Sequence, residues 1–128
     1  PTTILPRLGQ GSFRIVVTDA YHRKCAIFRE KTLPVLDAAH IKPFSEDGLF
    51  TVDNGLLLRT DIHKLFDKGY LTVTPEMKVE VSKRIKEEFK NGREYYQYHG
   101  KEIILPNQIQ NRPSIQLLEW HNENVYRG

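Results

Sequence analysis

Cysteine is nearly absent: Cys25 is the one thiol among 128 residues. That excludes an internal disulfide and any zinc knuckle that needs paired cysteines. A lone cysteine fits a reducing cytoplasm and reads as a small apolar core residue. No apolar run approaches the roughly 20 residues that a membrane helix requires, and no charged-then-apolar leader opens the chain. Repeats and low-complexity segments are missing as well. Charge of one sign is scarce: 19 Lys and Arg stand against 16 Asp and Glu, a net charge of +3 and a pI of about 9.1. Such mild basicity is compatible with a polyanionic partner and too common to specify one. What is present, 39% hydrophobic and 27% charged residues, suits one globular domain over residues 1–128. The chain begins with proline rather than methionine, so the expectation is a piece of a longer protein.

Along the chain the elements are short and mixed. "PTTILPRLGQGSFR" is an extended lead into a glycine-flanked turn, with Ser12 as expected N-cap of a helix over about residues 12–23. "CAIF" and "VLDAAHI" are strand candidates. "KPFSEDGLFTVDN" has turn formers and no sustained period, and a loop of this length points to function. "GLLL" is a fully apolar strand, followed by a helix "TDIHKLFDKG" that begins at Thr60 and Asp61 and ends at Lys68 and Gly69. "YLTVTPEMKVEVS" alternates on both sides of Pro75 and Glu76, a hairpin pattern. "KRIKEEF" predicts a short helix, "KEIILP" a strand, and "SIQLLEWHNENVY" a terminal helix capped by Ser114. The class is α+β.

Five polar residues lie close together in this plan: Asp37, His40, Asn54, His63 and Asp67. His40 and Asn54 are 14 positions apart, and Asn54 and His63 are 9 apart. The order is histidine on a strand, loop, asparagine, strand, then histidine on a helix. Such a strand–strand–helix unit can hold one divalent cation between its second strand and its helix. Taken singly, His40, Asn54 and His63 each read as structural; their joint order and spacing argue otherwise only inside a longer family resemblance.

On "LDAAHIKPF", "DNGLLLRTDIHKLFDKG" and the upstream "GQGSFR…AY…CA", the chain resembles the HNH endonucleases, the family with the ββα-metal fold. It is most similar to the branch with "AAHI…NGLLL…DIHxLFDxG" found in bacterial restriction-type proteins. The likeness runs from about residue 9 to 74, and the tail matches loosely through "YHGKEIILP" and "LEWH". It implies a ββα-metal core at about residues 34–69, wrapped by an N-terminal helix and a C-terminal strand and helix extension. It implies His40 as general base, an imidazole able to take a proton from water near neutral pH. Asn54 would hold the loop and orient His40 through amide hydrogen bonds, and His63 would ligate a divalent metal, Mg²⁺ or Mn²⁺ among others.

Many HNH nucleases carry a metal ligand just before the base, where this chain has Ala39. Strand alternation puts Asp37 on the same face as residue 39, about 6.5 Å further back from a rise of about 3.3 Å per residue. Asp67 is four positions beyond His63, within chelating reach on a helix. Both are candidate ligands beside His63. Arg14, Arg59 and Lys64 are the candidate DNA contacts near the site. A second basic segment, "KRIKEEFKNGREYYQYHGK", interleaves tyrosines with cations, a composition that can track a nucleic-acid backbone. His22, His99 and His121 have no evident partner and read as surface or structural. The expected function is metal-dependent hydrolysis of DNA in a restriction or defence protein, with other domains of the chain or a second copy as further partners. The alternative is a nucleic-acid-binding module whose catalysis has decayed, with Ala39 as its sign.

Overall fold

The computed structural model describes residues 5–128; the first four residues of the expected extended lead lie outside it. Helix α1, Gln10–Ala20, opens the described chain. It starts two residues before the expected Ser12, capped by the backbone of Gly9, whose carbonyl accepts the Phe13 N–H at 2.8 Å. Ser12 therefore lies inside the first turn and is not the N-cap. The helix also stops short of residue 23, because His22 and Arg23 turn into the left-handed region at φ 61° and 60°.

Strands β1, Leu36–His40, and β2, Gly55–Arg59, form an antiparallel pair in which His40 faces Gly55 and Asp37 faces Leu58. Leu56, Leu57 and Leu58 are buried on both faces of β2, which is why this strand shows no alternation. Helix α2, Thr60–Asp67, follows without a loop and packs Ile62 and Phe66 inward. Its end is set by Gly69 at φ +84°, a conformation that favours glycine. The strand–strand–helix unit expected from the motif spacing is therefore present.

α1 lies across this unit at very short range. A Cβ on Gly55 would stand 2.5 Å from Val17 Cγ2 and 3.1 Å from Phe13 Cζ. The Tyr21 hydroxyl donates to the Gly55 carbonyl at 3.0 Å, and burial pushes that phenol far above its usual range. The long loop after β1 holds two 3-10 turns, Phe44–Glu46 and Val52–Asn54.

The hairpin expected at Pro75 and Glu76 forms from β3, Leu71–Val73, and β4, Val79–Val81. Helices α3, Arg84–Phe89, and α4, Arg93–Tyr96, are short, and α5, Ile115–Asn124, ends the fold with the Ser114 hydroxyl accepting the Leu117 N–H. Two expected strands are absent. Residues 25–28 form a turn whose backbone bonds go to scattered partners: Cys25 N–H to Glu30, Ala26 N–H to Leu57. "KEIILP" makes one isolated bridge, Lys78 to Glu102, before Ile104 leaves to donate to the Ala26 carbonyl. Cys25 is fully buried, as a core residue should be, and its sulfur accepts the Arg59 N–H at the start of α2. Among the described residues, no helix is long and apolar enough to cross a membrane.

Candidate active site

β1 and α2 bring three of the five residues into direct contact. His63 Nδ1 lies 3.0 Å from Asp37 Oδ2, and His63 Nε2 lies 3.1 Å from Asp67 Oδ2. Asp37 reaches His63 because the strand carries it onto the side covered by α2. Asp67 does so through one helical turn. Only an imidazolium can donate from both ring nitrogens, and the hydrogen bond to Asp67 leads in raising the His63 pKa, with Asp37 adding to it against burial. The two carboxylates sit on opposite ring nitrogens. Among the described residues, no three or more His, Cys, Asp or Glu side chains converge as a ready-made metal cage. The donor chemistry nevertheless fits a divalent cation, since carboxylate oxygen suits Mg²⁺ and Mn²⁺ and imidazole nitrogen suits the later first-row ions.

His40 is held differently. Its ring stacks on Phe13 at 4.3 Å between centroids and 9° between planes, and Phe50 meets it edge-on at 4.5 Å and 78°. His40 Nε2 is buried and, among the described residues, has no hydrogen-bond partner. A buried polar atom left unpaired in a folded protein marks a place where water or a ligand is expected. Burial comes first in lowering the His40 pKa, the His63 charge adds to it, and Asp67 opposes it. The base candidate is therefore a neutral ring within electrostatic reach of His63 and Asp67.

Asn54 is completely buried and closes the loop. Its Oδ1 accepts the Lys42 N–H at 2.9 Å, and its Nδ2 donates to the carbonyls of Lys42 and Leu49 at 2.9 and 2.8 Å. The Asn54 carbonyl also accepts the Ile41 N–H at 2.9 Å. These bonds fix the backbone just after His40, and none reaches the imidazole itself. The ring is oriented by aromatic contact instead. Phe13 and Phe50 were missed by sequence reasoning as site residues; the signal was two aromatics flanking a histidine-bearing strand, which reads equally well as core.

Among the basic candidates, Arg14 is exposed on α1 and lines a separate cavity of about 200 Å³ with Arg23. Lys64 is exposed on α2. Arg59 is engaged: its guanidinium bonds Asp61 at 2.7 and 2.9 Å and Glu94 at 2.9 Å, and it lies over the Phe28 ring. These carboxylates hold the Arg59 charge firmly in place.

His121, expected to be surface or structural, proves to be a buried structural residue. Its Nε2 lies 2.9 Å from the Phe66 carbonyl and its Nδ1 2.7 Å from the Thr72 hydroxyl. A carbonyl only accepts, so Nε2 carries the proton and Nδ1 accepts from Thr72. The Thr72 oxygen in turn accepts from Asn122 Nδ2 at 2.9 Å. α5 is thereby bolted to the last turn of α2, beside Asp67.

Residues 17–74 match the family model described as HNH endonuclease. Among solved structures, the chain is similar to one described as "Modification dependent TagI restriction endonuclease", with 19% identity and a TM-score of 0.60. The likeness covers 91% of this chain and 38% of that one, so the chain spans well under half of that enzyme's length. At this identity the likeness shows the fold, and the α+β reading stands on it. No curated protein matches the chain.

Proposed function

We propose, proceeding from the likeness of residues 17–74 to the HNH endonuclease family, that this chain is a metal-dependent domain that hydrolyses DNA phosphodiester bonds. We read it as the cleavage module of a longer restriction or defence protein. The matched family is one of nucleases, generally dependent on a divalent cation. The observation that carries the reading is the contrast between two histidines. His40 is kept neutral with an unpartnered Nε2, and His63 is clasped by two carboxylates.

A neutral imidazole accepts a proton from the attacking water, and its lowered pKa keeps it in that form at neutral pH. Phe13 and Phe50 hold the ring plane while this happens. Asn54 keeps the loop that follows His40 closed. A divalent cation, when bound, supplies charge stabilisation at the scissile phosphate and the leaving oxygen. The residues that would hold it are His63 and Asp67, since Asp67 lines one cavity with Ile41 and Pro43, just beyond His40 in the chain. Asp37 then keeps the hydrogen of the other ring nitrogen and orients the ligand, the common arrangement for a metal-binding histidine. Arg14 and Lys64, both exposed, are the candidate phosphate contacts, while Arg59 is held by its carboxylate partners.

The test is supercoiled plasmid incubated with purified protein, with Mn²⁺ or Mg²⁺ and with a chelator. Relaxation only with metal is expected, Mn²⁺ serving at least as well as Mg²⁺ because it tolerates nitrogen ligands. His40→Ala should cut the rate by about 100- to 10,000-fold with metal affinity retained. Tight DNA binding without product across several metals would support the binding-only module instead.

A further inference from the structure

The charge of this protein is concentrated far along the chain from His40 and His63. Residues 83–101 hold six basic and three acidic side chains, an excess equal to the net +3 of the whole chain. Within that segment Lys86, Lys90 and Arg93 line one cavity of about 390 Å³ together with Asn91 and Tyr96. Two nearby arginines are paired: Arg84 faces Glu88 at 3.8 Å, and Arg59 is taken by Asp61 and Glu94. Among the described residues, Lys86, Lys90 and Arg93 have no carboxylate within 4.0 Å. Among the described residues, the hydrogen-bond partner of the Lys90 ammonium is the Glu87 carbonyl, at 3.2 Å.

The cavity has a stiff frame. Lys90 at φ 58° and Gly92 at φ +119° reverse the chain between α3 and α4. A Cβ on Gly92 would lie 2.7 Å from Ile85 Cγ2 and 2.8 Å from Tyr96 Cε2, so the reversal is packed tight. The Tyr96 hydroxyl donates to the Ser82 carbonyl at 2.7 Å and accepts the Lys86 N–H at 3.1 Å. The frame is also tied to the active-site helix. Glu94 bonds Arg59 at 2.9 Å, and the Tyr95 hydroxyl donates to Asp61 at 2.8 Å, in the first turn of the helix that carries His63.

We propose that this α3–α4 cavity is a second phosphate-binding site, taking backbone phosphates of the DNA duplex that flanks the cleaved bond. The idea rests on the nuclease reading and extends it. Uncompensated cations on a rigid turn attract polyanions, and an asparagine amide adds a neutral donor for phosphate oxygen. Linkage through Arg59, Asp61 and Glu94 sets this site at a fixed offset from His63, so it acts as a register contact that carries no base specificity. DNA is the occupant that fits, because the same body holds the machinery for a phosphodiester.

The experiment uses the whole chain carrying His40→Ala, so that DNA is bound and not cut, with and without the triple change K86Q, K90Q and R93Q. Affinity for a 20-base-pair duplex is measured across a salt series, and thermal melts check that both proteins are folded. Each phosphate contact contributes about 0.9 to the slope of log K against log salt. Expected is a slope smaller by about 2 to 3 in the triple variant, with weaker binding at low salt. An unchanged slope and affinity, in a parent that binds DNA, overturns the second site and leaves the nuclease reading standing. A parent that fails to bind DNA at all overturns both. Should the triple variant unfold, the single R93Q change is read the same way, with an expected slope change of about 1.

Discussion

Phe13 does for His40 what a hydrogen bond does for many histidines: it fixes the plane of the ring. The contact is a near-parallel stack, 4.3 Å and 9°, and Phe13 is itself 2% exposed, so the position is set by the core. Phe13→Leu keeps apolar burial and loses the flat face. The expected outcome is a fold with a modestly lowered melting temperature, a kcat reduced about tenfold, and a nearly unchanged KM, because ring orientation is felt in the reaction more than in binding. A variant with wild-type kcat would show that the stack is packing alone. The two aspartates separate by the same kind of reasoning. Asp67→Asn should raise the Mn²⁺ concentration needed for half-maximal cleavage. Asp37→Asn should weaken metal affinity by about 10- to 100-fold at most, the usual loss when an orienting carboxylate goes. A Mn²⁺ titration of binding by each variant reads both, and the reverse ranking would exchange their roles.

At the scale of elements, β1, β2 and α2 were legible because each carries its own local signal: an apolar run, a turn residue, a terminating glycine. The meeting of Asp37, His63 and Asp67 was legible as far as those elements reached, through strand alternation and one helical turn. What failed was "CAIF" and "KEIILP", two apolar runs read as strands. Apolar content tells that Ala26 and Ile103 are buried, but it does not tell that their backbones bond one group at a time to distant partners. The Phe13 stack on His40 was hidden for a related reason. It depends on how closely α1 approaches β2, and that approach depends on Gly55, which in sequence looks like any residue of a turn. Gly55→Ala tests this directly. Its Cβ would stand 2.5 Å from Val17 Cγ2, so α1 must shift. Overpacking of this kind costs about 1–3 kcal/mol, to be read as a lower urea midpoint. Cleavage should fall as well, since Phe13 moves with the helix. A stable variant with full activity would mean that α1 does not position the base.

For the molecule as a whole, the tail beyond the matched residues 17–74 is part of the site's support rather than an appendage. Asp67 stands at the end of α2, and what holds that end is His121 from α5, stacked on Phe66 at 3.7 Å and bonded to its carbonyl. His121 is 1% exposed, and burial leads in lowering its pKa to about 4, with the Phe66 bond and the Asp67 charge opposing. An unfolded histidine titrates near 6.5, so between about pH 6.5 and 4 the unfolded chain binds a proton that the folded chain refuses. Stability from this residue is therefore complete above about pH 6.5 and is lost as the pH falls towards 4. The loss amounts to about 3 kcal/mol, from roughly 1.4 kcal/mol per pKa unit. Carboxylates add their own acid sensitivity, so the informative quantity is a difference. His121→Gln can still donate to the Phe66 carbonyl but has nothing to titrate. It should be less stable than the parent at pH 7.5 and converge on it as the pH approaches 4, with urea unfolding at several pH values as the measurement. If the gap between the two proteins stays constant from pH 7.5 to 4, the imidazole does not enter the fold neutral. The lock between α5 and α2 would then need a different charge state from the one its hydrogen bonds imply.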